Sequence, residues 1–266
     1  MAKGYFRSGR PWFTIERRGT LGFGALVFGI YVDLGMALLF LVVMSFLWSL
    51  PMALILMPLM LFHEFGHAWG MRRYRIPVKG IYFLPPIGLA VVPDGPMYRR
   101  LEETDTALLG PAWGLVSALV AFGLWKFFGW TICAQIAMLA AYLNLFNLLR
   151  INPLDGGRVV KSIAWSVHPR VGIVIQGLGL LAGLWLLTQS VLLGLFVLYF
   201  GIREFLEEYQ ALRLELARRR VRYSPYDYRY AHVETGRPAL TKGQVATRSL
   251  AYVGLAAALF GILYFL

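Results

Sequence analysis

Two histidines and a glutamate in the pentapeptide His63-Glu64-Phe65-Gly66-His67 are the residues best suited to do chemistry. Four positions separate the histidines, so on a helix both imidazoles project from one face and can bind one zinc ion. Glu64 can reach a water bound to that ion and take its proton, as the general base of a hydrolase does. The pattern predicts zinc-dependent hydrolysis. It also arises by chance on wet helices, so its surroundings decide the interpretation.

The residues before this motif form a long apolar run, 50–62, that carries no charge. Ionisable side chains are costly inside a bilayer, and where they occur there they mark a functional site by default. Composition agrees, because 58% of the residues are hydrophobic, 15% are charged and the mean hydropathy is +0.61. We therefore predict an integral membrane protein with its chemistry at membrane depth.

Apolar runs of this kind recur along the chain and predict an all-α polytopic membrane protein with about six to seven transmembrane helices. The predicted spans lie within 22–49 and at about 52–71, 106–126, 131–149, 171–187, 190–203 and 249–266. Asp33 interrupts the first run and leaves its limits open. The pair 171–187 and 190–203 is split by Thr188-Gln189-Ser190 and is typical of a helical hairpin.

The net charge of +12 is distributed in a way that argues against a nucleic-acid partner. Basic residues cluster before the first span and after the second, fourth and sixth, which is the positive-inside pattern. This places the N-terminus, and the chemistry, on the cytoplasmic side of the lipid bilayer. The predicted order is a cytoplasmic segment 1–21, a membrane domain 22–203, a cytoplasmic polar loop 204–246 and a C-terminal transmembrane helix 249–266.

The fourth span ends in a segment that we expect to be broken by Pro153 and by the pair Gly156-Gly157. Unwound backbone persists at membrane depth only where protein or a watery cavity receives its polar groups. Asp155 would then lie at the same depth and side as His63 and His67. A catalytic zinc takes three protein ligands and keeps one position open, so Asp155 is the candidate third ligand. The alternative is a surface turn, since Asp-Gly is common in turns.

Three motifs in this order resemble those of the site-2 protease family of intramembrane zinc metalloproteases. They are the His63–His67 pentapeptide, the pair Gly110-Pro111, and Asn147 followed by Asp155-Gly156-Gly157. The resemblance covers about 52–165 and implies a three-helix catalytic core.

Carried over by position, the resemblance implies one zinc ion per chain, held by His63, His67 and Asp155. It implies that Glu64 activates water and that Asn147 helps to hold the substrate or the oxyanion. The implied substrate is a membrane-anchored protein, cleaved within its transmembrane segment. The sequence carries no indication of an oligomeric state.

Three positions depart from the family pattern. Gly114 stands where the family usually has an asparagine, three residues after the Gly-Pro pair. Arg150 stands where its Asn-x-x-Pro segment has a proline, with Asn152 at another common proline position. These departures concern the local path of the loop and any polar role at position 114. The residues that zinc and water need are all present.

The segment 76–93 is rich in proline, glycine and β-branched residues, which predicts strands instead of a helix. In the family, a short re-entrant β element occupies this place and is thought to pair with an unwound substrate. The alternative is a hydrophobic loop lying on the membrane surface.

Two other functions fit parts of the sequence. A membrane gluzincin of the CAAX-processing type takes a downstream glutamate as its third ligand, for which Glu204 and Glu208 are available. A non-proteolytic zinc-binding membrane protein, such as a scaffold or a metal transporter, is the second alternative. A structural zinc site is normally closed by four protein ligands and needs no adjacent base, so Glu64 argues against it. His168 and His232 lie outside the motifs and are expected to be ordinary loop histidines.

Overall fold

The structure, a computed structural model, describes residues 24–27, 30–85, 88–221 and 238–266. Four strands and eight helices make up this part of the chain. In chain order they are β1 (Gly24–Val27), β2 (Ile30–Asp33), α1 (Leu34–Leu47), α2 (Leu50–Arg73), β3 (Val78–Leu84), β4 (Gly88–Pro93), α3 (Arg100–Phe128), α4 (Thr131–Asn147), α5 (Asp155–Val167), α6 (Pro169–Gln189), α7 (Val191–Val221) and α8 (Lys242–Phe265).

Among the described helices, α2, α3, α6 and α8 are long and apolar enough to cross a membrane. The prediction of a mainly helical integral membrane protein is confirmed to that extent. Helices α1 and α4 are apolar but have only 14 and 17 residues, which at 1.5 Å per residue gives about 21 and 26 Å. They fall short of a hydrocarbon layer of roughly 30 Å. The count of six to seven spans therefore stays a prediction.

The first predicted span, 22–49, is only partly helical. Strands β1 and β2 form an antiparallel pair, and α1 begins at Leu34. Asp33, which interrupts the apolar run, is the N-cap of α1: its carboxylate accepts a hydrogen bond from the Met36 amide at 3.1 Å. Such a cap satisfies a first-turn N–H that has no partner within the helix, so the polar residue marks where the helix starts.

Contacts between Cα atoms divide the chain into two units. The first comprises Met1–Pro96, Leu109–Asn144 and Ala258–Leu266, and the second Met97–Leu108 and Leu145–Ala257. In the first unit, an apolar core joins α1, α2 and the sheet. Its buried members are Val32, Ala37, Phe40, Met44, Ala53 and Phe83. In the second unit, Ala107, Leu108 and Val159 form a smaller core against Tyr252 and Leu255.

The four strands form one sheet in the order β1-β2-β3-β4. Strands β3 and β4 pair antiparallel, with Ile81 opposite Val91, and β2 runs parallel to β3, with Val32 opposite Ile81. The predicted β character of 76–93 is therefore present. Its re-entrant placement in a bilayer stays a prediction.

The break after the fourth predicted span differs from the expectation. Helix α4 ends at Asn147 and α5 begins at Asp155, so the non-helical stretch is 148–154. Gly156 and Gly157 do not break a helix, since they lie in the first turn of α5. A Cβ at Gly157 would come within 2.6 Å of the Ile151 carbonyl carbon, and one at Gly156 would overlap the Leu148 carbonyl. The glycines instead let the chain return close to itself.

The predicted hairpin of 171–187 and 190–203 is present as α6 and α7. Ser190 separates the two helices, and its amide donates to the Leu186 carbonyl at 2.8 Å. Helix α7 continues to Val221, so the first part of the predicted polar loop 204–246 is helical.

Candidate metal centre

His63 and His67 lie on one face of α2, near its C-terminal end. Both are buried, with 3% and 4% of their surface exposed. Their Nε2 atoms are 3.0 Å apart, and the rings meet edge to face. The helical spacing thus brings two imidazole nitrogens together, because positions i and i+4 lie one above the other.

Helix α3 passes close to these histidines because two glycines leave room for it. A Cβ at Gly66 would come within 2.8 Å of the Leu109 carbonyl carbon, and a Cβ at Gly110 within 2.9 Å of His63 Nε2. Small residues at a helix contact let two backbones approach each other inside a membrane. Gly66 and Gly110 therefore both allow α3 to pack close to the imidazoles.

Asn144 of α4 is a site residue that the sequence did not single out. His63 Nδ1 lies 2.7 Å from Asn144 Oδ1, and Asn144 Nδ2 donates to the Ala140 carbonyl at 2.7 Å. Only 1% of Asn144 is exposed. A polar side chain in an apolar helix was the available signal. Asn147, the residue proposed from the motif, lies one turn later at the end of α4 and is half-buried.

Glu64 is buried beside the sheet, with 8% of its surface exposed. Its Oε2 accepts a hydrogen bond of 2.7 Å from the amide of Val91 in β4. Strand β4 is the last strand in the order of the described sheet. At this edge the N–H of Val91 is bonded to a side chain of α2 and not to a neighbouring strand. The contact holds the carboxylate at the edge of the sheet.

Asp155 is the first residue of α5 and is buried, with 6% exposed. A helix N-terminus favours a negative charge, and Arg158 Nη1 lies 3.8 Å from Asp155 Oδ1. One ligand atom from each of His63, His67 and Asp155 lies within 4.8 Å of the others. Two imidazole nitrogens and one carboxylate oxygen are a donor set that suits zinc.

Glu204 and Glu208, the ligands that a gluzincin would need, are engaged in ion pairs of the second unit. Both oxygens of Glu208 accept from Arg100, at 2.7 and 3.1 Å. Glu204 accepts from Lys161 and from Asn152. Each carboxylate is already neutralised by a basic side chain.

Lys161 is almost fully enclosed and also donates to Glu103 at 2.6 Å. Burial alone would lower the pKa of this ammonium group, but the adjacent Glu103 and Glu204 carboxylates outweigh it and raise the pKa above its usual value of 10.5. The lysine is therefore charged at neutral pH and holds the two glutamates together.

Neither His168 nor Cys133 belongs to the group of described residues that could hold a metal ion. His168 caps α6, since its Nδ1 accepts from the Arg170 amide at 3.1 Å. His232 lies outside the described residues. Cys133 is buried in α4.

Comparison with known proteins gives three similarities. A zinc metalloprotease of Methanocaldococcus jannaschii is 25% identical over 201 residues, which are 67% of this chain and 58% of that protein. A Synechocystis protein named as a zinc metalloprotease is 33% identical over 145 residues, 49% of this chain and 37% of that protein. A solved site-2 protease of M. jannaschii matches with a TM-score of 0.47 and 22% identity, covering 70% of this chain and 95% of that one. No protein-family model matches the chain.

The aligned segments are less than two thirds of either sequence relative's own length, at 58% and 37%. Both relatives carry the name zinc metalloprotease, which is what the resemblance of the three motifs predicts. The similarity of this chain to zinc metalloproteases is therefore confirmed.

Proposed function

We propose that this chain is an intramembrane zinc metalloprotease that cleaves transmembrane segments of membrane-anchored proteins. The observation that carries the proposal is the buried cluster of His63, His67 and Asp155, with Glu64 beside it, at the end of an apolar helix. The names of the two relatives support zinc-dependent proteolysis.

In this proposal His63, His67 and Asp155 hold one zinc ion per chain. A bound zinc ion supplies an acidified water and a Lewis acid for the scissile carbonyl. Three protein ligands leave one position open, which hydrolysis needs and a closed structural site lacks. The open position therefore disfavours a zinc-holding scaffold.

Glu64 is the general base of the proposed reaction. Its carboxylate follows His63 directly in the chain, accepts the proton of the attacking water and passes it to the leaving nitrogen. Asn147, at the end of α4, is proposed to hold the substrate or the oxyanion.

A transmembrane substrate must lose local helical hydrogen bonds before its carbonyl can be attacked, because the helix pairs and shields those groups. Strand β4 is an edge strand next to Glu64, and an extended substrate would pair with this edge by displacing Glu64 from the Val91 amide. We therefore expect helix-breaking residues in the substrate to promote cleavage. The distribution of basic residues in the sequence supports a site on the cytoplasmic side of the membrane.

The gluzincin alternative requires Glu204 or Glu208 to leave an ion pair. Glu208 would abandon Arg100, and Glu204 would abandon Lys161, each of them a buried cation. An unpaired buried charge costs several kcal/mol, by the usual order of magnitude. Asp155 has a looser pair, 3.8 Å from the partly exposed Arg158, and its ligand atom lies within 4.8 Å of those of the histidines.

The purified full-length chain tests the proposal by cleavage of a membrane-embedded reporter and by zinc analysis on the same preparation. Glu64→Gln keeps both imidazoles but removes the base. We expect it to retain one zinc per chain and to lose about 10²–10⁴-fold in cleavage rate. A chelator should abolish the activity of the unaltered protein, and added zinc should restore it.

The matched control is Glu207→Gln, an exposed glutamate on α7 that forms a surface pair with Arg203. It should leave cleavage and zinc content unchanged. Undiminished turnover by Glu64→Gln would refute the mechanism, and cleavage that a chelator does not affect would refute the dependence on zinc.

A further inference from the structure

The orientation of the Asn144 side chain is fixed by a contact within its own helix. Its Nδ2 donates to the Ala140 carbonyl at 2.7 Å, so its Oδ1 is the atom that faces His63. An amide oxygen can only accept a hydrogen bond. His63 Nδ1, at 2.7 Å, must therefore carry the hydrogen of this contact.

This hydrogen bond decides which nitrogen of His63 is available to a metal ion. A neutral imidazole has one N–H, so with Nδ1 protonated the lone pair is on Nε2. The Nε2 atom is the one that lies 3.0 Å from His67 Nε2 and faces the cluster. Asn144 thus selects the tautomer of His63 that can bind a metal ion and fixes the rotation of its ring.

Asn144 has room for this contact because residue 114 is a glycine. A Cβ at Gly114 would overlap the whole terminal amide of Asn144, its Oδ1, Cγ and Nδ2. Gly114 lies one helical turn after Gly110, whose missing side chain makes room for the imidazoles themselves. One face of α3 therefore has two gaps, one that admits the histidines and one that admits the side chain orienting His63.

We infer that Asn144 is a positioning residue for His63, and that Gly114 is required because it admits the Asn144 amide. The inference rests on the proposed function, in which His63 is a zinc ligand. It explains the departure at position 114: in this chain a polar amide next to the site comes from α4, and α3 supplies the space that the amide needs.

Two variants of Asn144 test the hydrogen bond directly in the purified full-length protein. Asn144→Ala removes the acceptor, and zinc affinity, measured by competition with a chelator, should fall about 10–100-fold, as for other partners of metal-bound histidines. Asn144→Asp keeps an acceptor oxygen and should restore most of that affinity. If Asn144→Ala binds zinc as tightly as the unaltered protein, the inference is wrong.

The tautomer provides a readout that does not depend on activity or on bound metal. The chain has four histidines, so ¹⁵N spectra of the metal-free protein, labelled at histidine, are simple to assign with a His63→Ala difference spectrum. At a pH where imidazole is neutral, His63 should be the Nδ1–H tautomer in the unaltered protein. Asn144→Ala should give a mixture of tautomers, whereas an unchanged spectrum would overturn the inference.

A double-mutant cycle tests the role of Gly114. Gly114→Ala should weaken zinc binding about 10–100-fold when Asn144 is present, since the added methyl displaces the amide. In the Asn144→Ala background the same methyl enters vacated space, so it should cause no further loss. Gly123→Ala is the control: it lies on the same helix with no atom within 4 Å of its Cβ position, and it should leave zinc affinity unchanged.

Equal losses from Gly114→Ala in both backgrounds would show a general packing defect and contradict the assigned role. His63→Ala separates this inference from the proposed function. If His63→Ala keeps its zinc, the proposed ligand set is wrong. If it loses zinc while Asn144→Ala does not, only the positioning role of Asn144 is wrong.

Discussion

Four buried carboxylates of the described chain, Glu64, Glu103, Asp155 and Glu208, differ in the groups that face them. Glu103 and Glu208 each accept from a buried cation, at 2.6 and 2.7 Å. Glu64 accepts from a backbone amide, and the ion-pair distance from Asp155 to Arg158 is 3.8 Å. The charges of Glu103 and Glu208 are therefore used by the fold, whereas Glu64 and Asp155 are the pair that we propose to serve a water and a cation.

Asp155→Ala should lower zinc affinity by at least about 10–100-fold and abolish cleavage, because the proposed site loses its only anionic protein ligand. Chelator competition and reporter cleavage measure the two effects. Glu208→Ala is the contrasting variant. It leaves Arg100 buried without its partner, so it should cost about 3–5 kcal/mol of stability while the folded protein keeps its zinc. An active Asp155→Ala beside a metal-free Glu208→Ala would instead support the gluzincin assignment.

At the scale of elements, the packing of α3 on α2 depends on glycines at Gly66 and Gly110, where a Cβ would meet backbone or an imidazole. The aromatic side chains of Phe62 and Trp113 pack beside this contact, with ring centroids 4.9 Å apart. Backbone and a buried ring have little freedom to move aside. The spacing of the two helices at the histidines is therefore set by the absence of two side chains.

Gly110→Ala should destabilise the protein by about 1–3 kcal/mol, the usual cost of overpacking, and weaken zinc binding because the methyl meets both histidine rings. Thermal unfolding in detergent and chelator competition measure the two effects. Gly123→Ala, on the same helix in open space, should raise stability by up to about 1 kcal/mol. Equal behaviour of the two variants would show that α3 does not rest on the histidines.

The sequence predicts an element best where hydrophobicity extends along the whole segment. Helices α2, α3, α6 and α8 each contain a long apolar run, because a bilayer demands some twenty predominantly apolar residues. Strands β1 and β2 were missed within 22–49, since hydropathy alone does not separate a buried strand from a span. Asp33 was the signal, as an N-cap is a helix start.

The site was predictable in its local part only. The spacing of His63 and His67 fixes their common face on α2, and the position of Glu64 follows from it. The contact between His63 and Asn144 joins residues 81 positions apart, and no periodicity within either helix specifies such a partner. Asp155 was named as a candidate ligand, but its place in the first turn of a helix was not predicted, because the close packing of Gly156-Gly157 against the preceding loop cannot be distinguished from a turn in the sequence.

At the scale of the whole molecule, each of the two units is stabilised by a different kind of interaction within itself. The first unit relies on the apolar core around Phe40 and Phe83. In the second, buried or half-buried ion pairs connect the first turns of α3 to three other helices. These pairs are Arg100–Glu208, Lys161–Glu103 and Arg248–Asp105. Removing one partner of such a pair leaves an uncompensated charge. The stability of the second unit should therefore be the more sensitive to replacement of buried charged residues.

Lys161→Met should cost about 3–5 kcal/mol, because it leaves Glu103 and Glu204 facing each other without their shared cation. Chemical unfolding in detergent measures the loss. Arg203→Met, which removes an exposed pair with Glu207 on α7, should cost no more than about 1 kcal/mol. Similar losses of unfolding free energy in the two variants would contradict the prediction that the buried ion pairs stabilise the fold more than the exposed pair does.

The same lysine gives a pH dependence with a definite sign. Its pKa in the folded protein lies above the unfolded value of 10.5, so its contribution to stability is fully present below about pH 10.5. The contribution is lost as the pH rises through the folded-state pKa. Unfolding measured in the alkaline range should show this loss in the unaltered protein and lack it in Lys161→Met.

The hydrogen bond from Val91 to Glu64 has a consequence for self-association. An open edge strand is a template on which a second chain can pair, and proteins block such edges with charged side chains. Glu64 blocks β4 in this way, since it occupies the N–H that an incoming strand would use. Glu64→Ala uncovers that amide and should promote aggregation, whereas the amide oxygen of Glu64→Gln keeps the edge covered. The Glu64 carboxylate would therefore prevent self-association through β4 in addition to its role in the proposed reaction.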